Sequence, residues 1–235
     1  MPITAELSGA FVGNPLFLAK SHAVAMEVPD SNILTLFFEI CRRQPKRTAA
    51  RDGKRKLSYR KLELASYAVA QRLTQMGVSR GDVVPVVAKS SLPMVIGVLG
   101  VLRSGATYVP LDFSQWPSSR ITSTITRLHA RIVLYTGPEV DLGPDVIGMS
   151  VKSIMRAPYQ PTKDIHGACI TDPQRDDLAC IIFTSGTTGE PKGVMLRHSS
   201  VLHFVTSPPF NYNVTPRDRV LLALSCAFDG MNIQN

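Results

Sequence analysis

Short apolar runs alternate with helix-like segments through the middle of the chain, and this alternation most restricts the folds available to it. Residues 83–88, 107–110 and 131–135 are apolar runs, and segments with helical spacing lie between them. Buried strands separated by helices are typical of a mainly parallel sheet that helices cover on both sides. A further strand is predicted at 178–183, after a stretch at 137–176 that loses the period and contains Pro and Gly. The predicted fold class is therefore α/β.

The N-terminal part predicts an irregular arm, a helix and a hairpin. Residues 1–30 contain scattered Pro and Gly, and we interpret them as a leader arm. A helix is predicted at 32–44, where apolar residues recur at helical spacing and a proline ends the pattern. Asp52 and Gly53 stand between two strand-like runs, which is typical of a β-hairpin. We interpret residues 31–235 as one domain.

The positive charge of the chain is concentrated in one stretch. The net charge is +8, and residues 42–61 contain ten Lys or Arg against one acid, Asp52, which gives that stretch a net charge of +9. A basic run can bind nucleic acid or a membrane surface. Its only aromatic residue is Tyr59, and it has no zinc-ligand spacing and no recognition-helix pattern. We therefore expect a solvated surface and no nucleic-acid partner.

The cysteines and the apolar segments predict a reducing, cytoplasmic location. The four cysteines, at 41, 169, 180 and 226, are widely spaced, so neither a metal site nor a disulfide framework is predicted. The N-terminus does not have the pattern of a secretory signal. The most apolar window, 83–102, has Pro93 and polar residues near its centre, which argues against a membrane-spanning helix. We expect no membrane partner.

The most informative segment is the loop at 184–193, TSGTTGEPKG, which follows the strand predicted at 178–183. Its glycines allow a ligand to approach the backbone closely. Its hydroxyl groups and backbone amides can donate hydrogen bonds to anionic oxygens, and Lys192 adds a positive charge. At the carboxyl end of a sheet strand these groups predict a polyphosphate-binding site. The alternative is a flexible, hydroxyl-rich surface loop.

The order of residues in this loop is not that of a Walker loop. The Walker pattern, counted from the first glycine, would place Gly at Pro191 and Ser or Thr at Gly193. The loop instead resembles the phosphate loop of the adenylation domains of nonribosomal peptide synthetases, in the adenylate-forming superfamily of acyl-CoA synthetases and luciferases. Residues 57–62 (LSYRKL) are similar to the first core motif of these domains, and residues 101–112 (VLRSGATYVPLD) to the second. Phe113 departs from the family, in which a proline commonly follows the aspartate.

The resemblance covers about residues 31–235 and implies both fold and chemistry. The implied fold is α/β, with mainly parallel sheets flanked by helices, as an incomplete N-terminal portion of the adenylate-forming enzyme fold. The implied activity is activation of an amino acid by ATP and Mg²⁺ as an acyl-adenylate, in specialised-metabolite biosynthesis. The implied partner is a carrier-protein domain or further synthetase sequence. The implied phosphate-binding residues are Thr184, Ser185, Gly186, Thr187, Thr188, Gly189 and Lys192.

A second part of the resemblance concerns the substrate. Residues 227–229 (AFD) are similar to the motif whose aspartate, here Asp229, anchors the α-amino group of an amino acid. A carboxylate in a dry pocket selects an ammonium group and rejects a neutral acyl chain. The alternative is an aspartate that caps a turn before Gly230.

Other residues that the family uses have no match before the end of the sequence. These are an adenine-binding loop, an aspartate for the ribose hydroxyls and a catalytic lysine in a C-terminal lid. We therefore expect a truncated domain that is inactive alone, and we assign no catalytic residue. Two other interpretations stay open: a fragment of an acyl- or aryl-acid-CoA ligase, against which Asp229 argues, and a non-catalytic remnant or interaction module.

Overall fold

Helices and short strands alternate along most of the described chain. A computed structural model describes residues 32–138, 141–157, 169–184, 192–206, 217–222 and 225. The helices within these ranges are α1 (Ile33–Arg43), α2 (Tyr59–Gln75), α3 (Leu92–Arg103), α4 (Ser118–Arg127), α5 (Val151–Arg156) and α6 (His198–Thr206). The strands are β1 (Thr48–Asp52), β2 (Arg55–Ser58), β3 (Val83–Ala88), β4 (Thr107–Asp112), β5 (Ile132–Tyr135), β6 (Ile147–Ser150), β7 (Leu178–Thr184) and β8 (Lys192–Arg197).

The central sheet is mostly parallel, which confirms the predicted fold class. Its six strands have the order β6-β5-β3-β4-β7-β8. Every neighbouring pair is parallel except β7 and β8, which are antiparallel. The strands β1 and β2 form a separate antiparallel hairpin, as the turn residues Asp52 and Gly53 predict.

The helices begin where polar side chains can accept hydrogen bonds from their first turns. The side chain of Ser58 accepts from the backbone N–H of Lys61 at the start of α2. Ser91 does the same for α3, in which a proline occupies the first turn. Such N-caps satisfy backbone donors that have no partner within the helix. They explain why both helices start where the sequence places a serine.

The core lies on both faces of the sheet, because successive side chains of a strand point to opposite faces. Val86 and Val87 in β3 are both fully buried. Val86 belongs to a cluster with residues of α2 and α3, such as Val69 and Ile96. Val87 belongs to a second cluster with residues of α4, such as Ile121. The strand is apolar throughout because helices cover each of its faces.

Three features differ from the sequence-based expectations. The predicted surface stretch at 137–176 contains a strand and a short helix, β6 and α5. The last part of the predicted loop, from Lys192, is a strand. The strand predicted at 219–224 is not formed over 219–222. Short, half-exposed elements carry little periodicity, and for this reason the sequence pattern misses the first two. Residues 219–222 are exposed, so their apolar run does not belong to a buried strand.

Two expectations are affected by the extent of the described chain. Residues 1–31 lie outside it, so the leader arm at 1–30 stays a prediction. No helix in the described ranges has both the length and the apolar character needed to cross a membrane.

Candidate functional site

The two ends of the predicted phosphate loop face each other. Thr184 is the last residue of β7 and Lys192 the first of β8, and they form the final pair of the antiparallel ladder. The Thr184 hydroxyl donates to the backbone carbonyl of Lys192 at 3.5 Å. Ser185, Gly186, Thr187, Thr188 and Gly189 lie outside the described residues. The structure therefore pairs the residues Thr184 and Lys192, which lie on either side of seven residues that are not described.

This hairpin lies at the carboxyl edge of the parallel strands. Strands β3 and β4 are neighbours, but the helices that follow them, α3 and α4, pack on opposite faces of the sheet. Open α/β sheets bind ligands in the crevice that such a divergence creates. Strand β7 is the next neighbour of β4 and runs parallel to it. Thr184 therefore lies next to the position in the sheet where a ligand crevice is expected.

The pairing of β7 with β8 requires a residue without a side chain after Lys192. Gly193 is paired with Phe183. A Cβ atom at Gly193 would lie 2.9 Å from Cγ2 of Ile181 and 3.5 Å from the ring of Phe183. The glycine thus allows the start of β8 to approach β7 closely, while the Lys192 side chain remains exposed.

An aromatic and cationic cluster supports the start of the loop. The ring of Phe183, which directly precedes Thr184, meets Trp116 edge to face with 6.4 Å between ring centroids. The guanidinium carbon of Arg120 lies 3.9 Å from the centroid of the Trp116 ring. The buried Nε of Arg120 has no hydrogen-bond acceptor among the described residues. The cluster places a positive charge next to the ring that packs against Phe183.

Sequence reasoning assigned no role in a site to Trp116 or Arg120. Arg120 lies in the first turn of α4 and Trp116 precedes that helix, so helical spacing does not predict their contact. The contact with Phe183 depends on the packing of these residues against the sheet.

A buried carboxylate lies at the end of the strand next to β7. Asp112 is the last residue of β4, which pairs with β7 through Tyr108 and Cys180. The side chain of Asp112 is buried and accepts hydrogen bonds from Ser114 and Ser225. Sequence reasoning named Asp112 only as part of a motif, because its partner Ser225 is 113 positions away.

Charged and titratable groups lie at the other end of the β7–β8 ladder. Arg80 donates two hydrogen bonds to the Asp177 carboxylate, at 2.6 and 2.8 Å. These bonds lower the pKa of Asp177 below its usual value. Burial lowers the pKa of His198, which directly follows β8. The first residue of β7 pairs with the last of β8 at this end. Asp177 and His198 therefore lie at the far end of the ladder from the Thr184–Lys192 pair.

The described residues offer neither a metal cluster nor an activated thiol. They contain no group of three or more His, Cys, Asp or Glu side chains that could hold a metal ion. Burial raises the pKa of Cys41 and of Cys169 to about 12 and that of Cys180 to about 11. These thiols are protonated at neutral pH and are therefore poor nucleophiles.

The predicted substrate-binding aspartate cannot be placed. Asp229 lies outside the described residues, and Ser225 is the nearest described residue in the sequence.

Comparison with protein families identifies similarity along most of the chain. The family model for AMP-binding enzymes matches residues 37–232. Nonribosomal peptide synthetase echPS of Aspergillus ruber is 42% identical over 213 residues, which are 87% of this chain and 10% of the relative. Tyrocidine synthase 3 of Brevibacillus parabrevis is 34% identical over 204 residues, which are 85% of this chain and 3% of that protein. The chain thus spans a tenth or less of the length of these relatives.

Solved structures have the same fold. A crystal structure of the nonribosomal peptide synthetase FmoA3 with bound AMPPNP matches with a TM-score of 0.77 and 29% identity, over 88% of this chain and 22% of that one. The N-terminal subdomain of NpsA from Klebsiella oxytoca, in complex with 3-hydroxybenzoyl-AMSN, matches with a TM-score of 0.73 and 25% identity, over 86% and 50% of the two chains. The expected N-terminal portion of an adenylation fold is confirmed.

Proposed function

The chain belongs to the family of AMP-binding enzymes, and from that membership we propose that it forms part of an adenylation domain that activates an amino acid with ATP. The observation that carries the proposal is the pairing of Thr184 with Lys192 at the carboxyl edge of the sheet. This pairing brings together the ends of a segment in which hydroxyl groups, glycine amides and Lys192 are suited to phosphate. The similarity to nonribosomal peptide synthetases supports a role in specialised-metabolite biosynthesis.

The proposed role of the loop is to hold the β- and γ-phosphates of ATP. The exposed ammonium of Lys192 and the hydroxyl of Thr184 are the described groups that fit this role. The proposed remaining contacts are Ser185, Gly186, Thr187, Thr188 and Gly189. The AMPPNP bound to FmoA3 supports the use of a nucleoside triphosphate.

The proposed reaction is a displacement at phosphorus. A carboxylate oxygen of the amino acid attacks the α-phosphorus, the bond from that phosphorus to the bridging oxygen breaks, and the electron pair leaves with pyrophosphate. Protein groups align the reactants and stabilise charge on the phosphoryl oxygens. Lys192 is proposed to act on the leaving pyrophosphate, because it lies at the end of the loop that holds those phosphates.

Magnesium is proposed to enter with the nucleotide. The described residues contain no acidic cluster that would bind it on its own. Mg²⁺ keeps several waters and is commonly held by substrate phosphates with one or two carboxylates. The residues present therefore fit a magnesium–ATP complex and not a separate magnesium site.

Asp229 is proposed to bind the ammonium group of the amino acid, and a carrier-protein domain is proposed to accept the activated product.

A second candidate is activation of an aryl acid, because the subdomain of NpsA was solved with 3-hydroxybenzoyl-AMSN. The amino-acid proposal is preferred, because the carboxylate of Asp229 attracts the ammonium group of an amino acid. It repels a substrate that has a carboxylate and no ammonium group.

Equilibrium titration of ATP into the 235-residue polypeptide tests the loop directly. We expect Lys192→Ala to weaken binding about tenfold, through loss of one charge-assisted contact. Lys152→Ala is the matched control, because Lys152 is also exposed but follows β6 at the opposite edge of the sheet. Equal weakening by both substitutions would indicate non-specific attraction of charge and would contradict the proposal.

Turnover is tested by amino-acid-dependent exchange of pyrophosphate into ATP. We propose that the 235-residue polypeptide alone gives negligible exchange, because the family's adenine, ribose and catalytic lysine residues have no match in it. The intact gene product is then assayed with the standard amino acids and a set of aryl acids. Exchange that depends on one amino acid and on Lys192 supports the proposal, and exchange with aryl acids alone favours the second candidate. Exchange by the 235-residue polypeptide above a Lys192→Ala control would refute its inactivity.

A further inference from the structure

A cleft lined by positive charge lies between the β1–β2 hairpin, the last turn of α1 and the described segment at 217–220. Its volume is about 750 Å³, a size typical of ligand-binding clefts. The charged residues that line it are five cations and one carboxylate: Arg47, Arg51, Lys56, Arg217, Arg219 and Asp218. Part of the basic stretch at 42–61 therefore forms one side of a concave surface, and two arginines distant in the sequence lie on the other side.

Two of these cations are directly opposite each other in the hairpin. Arg51 in β1 is paired with Lys56 in β2. Paired residues of an antiparallel ladder lie on the same face, so like charges at such a pair destabilise the hairpin. The next pair, Asp52 with Arg55, has opposite charges. An anion bound between Arg51 and Lys56 would relieve their repulsion.

The hairpin cations, which are Arg47, Arg51 and Lys56, form no ion pair with a carboxylate of the described chain. Arg47 donates to the side-chain oxygen of Gln44 at 3.0 Å, and Arg51 donates to the backbone carbonyl of Gly53 at 2.8 Å. Both acceptors are uncharged, and all three cations are exposed. Their charges are therefore available to carboxylates of a partner, which arginine can bind through two parallel hydrogen bonds.

Apolar side chains line the same cleft. Ile40 in α1 and Val220 are 40% and 59% exposed. The phosphates of a nucleic acid would not cover them, and the one aromatic residue among the described lining residues, Tyr59, is half-buried and poorly placed for base stacking. A protein segment with both carboxylates and apolar side chains matches the charge and covers the apolar surface.

We propose that this cleft binds an acidic protein segment that also carries apolar side chains. The carboxylates of the segment pair with the hairpin cations, and its apolar side chains cover Ile40 and Val220. The lining residues include none of those proposed to bind ATP or the amino acid, so binding here does not depend on the proposed function.

Fluorescence anisotropy of a labelled peptide in which Glu and Leu alternate measures the Kd for the 235-residue polypeptide. We expect Lys56→Glu to weaken binding about tenfold, because it replaces an attraction with a repulsion. The substitution also places a carboxylate opposite Arg51 in the hairpin, so it should not lower the Tm. Loss of binding is then not a consequence of unfolding. A Kd within about twofold of the wild-type value would overturn the inference.

Lys61→Glu is the matched control for charge. Lys61 is exposed and belongs to the basic stretch, but it does not line the cleft. This variant has the same net charge as Lys56→Glu and should keep the Kd within about twofold of the wild-type value. Equal weakening by both substitutions would show attraction to the overall charge and would overturn the inference. A peptide with Gln in place of Glu should bind about tenfold more weakly, and equal binding of the two peptides would overturn the role of the cations.

Two further measurements decide whether the partner is a protein segment. Ile40→Ala should weaken binding of the Glu–Leu peptide about threefold and leave the Kd of a Glu–Ser peptide unchanged, because only leucine covers this side chain. An unchanged Kd for the Glu–Leu peptide would overturn the choice of an acidic segment with apolar side chains. An oligothymidylate is the competing probe. If it binds more tightly than the Glu–Leu peptide and Lys56→Glu abolishes that binding, the cleft is a nucleic-acid site and the inference is overturned.

Discussion

Arg103, the last residue of α3, donates a hydrogen bond of 2.6 Å to the backbone carbonyl of Glu63 in α2, and both residues are completely buried. The same nitrogen donates to the Ser66 hydroxyl at 3.0 Å. The guanidinium carbon also lies 5.0 Å from the ring centroid of Phe38 and 5.1 Å from that of Tyr67. One side chain thus links α1, α2 and α3 behind the sheet that carries the site.

Replacement of Arg103 should lower the stability of the fold. We expect Arg103→Ala to lower the free energy of unfolding by about 3–5 kcal/mol, because it removes buried hydrogen bonds and leaves a cavity beside the rings of Phe38 and Tyr67. Arg127→Ala is the control, since Arg127 is also the last residue of its helix but is exposed. Its effect should stay below about 1 kcal/mol. Equal effects in urea denaturation would show that the buried contacts of Arg103 contribute nothing beyond its charge at a helix terminus.

Two glycines of α3 should respond differently to alanine. A Cβ atom at Gly100 would lie 2.6 Å from Cβ of Val69 and 3.2 Å from the backbone oxygen of Ser66 in α2. We expect Gly100→Ala to destabilise the fold by about 1–3 kcal/mol through overpacking. At Gly97 the nearest atom is Cγ2 of Val151 at 3.3 Å, so an added Cβ atom would require a shift of only a few tenths of an ångström. Gly97→Ala should be neutral or stabilising by up to about 1 kcal/mol, and a loss of stability comparable to that of Gly100→Ala would contradict this account.

Stability should fall as the pH drops below the ordinary pKa of histidine, and His198 should cause part of the loss. His198 is 1% exposed, and burial lowers its pKa although Asp177 and Asp172 oppose the shift. The unfolded chain therefore binds a proton at a higher pH than the folded chain does. The contribution of His198 to the free energy of unfolding is complete above the pKa of histidine in the unfolded chain, about 6.5. It is lost as the pH falls through the lower pKa of His198 in the folded chain.

The variant His198→Gln should show a smaller loss of stability than the wild type between about pH 7.5 and about pH 5.5, measured by urea denaturation across that range. The control is His203→Gln, because His203 lies on the same helix and is exposed. That variant should keep the pH dependence of the wild type. An unchanged slope in His198→Gln would rule out a role for this imidazole.

Strand β8 should promote self-association of the 235-residue polypeptide. Among the described strands it lies at an edge of the sheet, and its residues Val194 and Met195 are 45% and 63% exposed. An exposed apolar edge can pair with a second chain. We expect Met195→Lys to increase the monomer fraction in analytical ultracentrifugation. Met155→Lys, on a 40% exposed residue of α5, should have less effect, and an equal gain would indicate a general effect of added charge.

The parallel sheet is predictable because its strands carry an unusual local signal. The stretch from Val84 to Ala88 has no exposed residue, so every position selects an apolar side chain or proline. Ser58 and Ser91 directly precede α2 and α3. Their side chains accept hydrogen bonds from backbone N–H groups in the first turns of these helices. Both signals act over a few residues, and the sequence alone is sufficient to detect them.

The elements at both edges of the sheet are not predictable in the same way. Strand β6 has only four residues, and Ile147 at its start is 47% exposed. In β8, Lys192 and Gly193 resemble loop residues and become a strand through pairing with β7. The strand state of such segments depends on their neighbours more than on their own propensity. Sequence patterning therefore predicts a surface stretch where β6 forms and a loop where β8 begins.

The candidate site also has features that the sequence predicts and features that it does not. The segment at 184–193 predicts phosphate binding by itself, because hydroxyl groups, glycines and a lysine stand close together in the sequence. The bond between Asp112 and Ser225, and the contact of Trp116 with Phe183, could not be read from spacing. The sequence by itself determined which strands are buried and which segment has groups for phosphate, since these properties depend on near neighbours. Only the tertiary structure decided which distant side chains meet at the carboxyl edge, since their contacts form when the whole sheet packs and no single segment contains both partners.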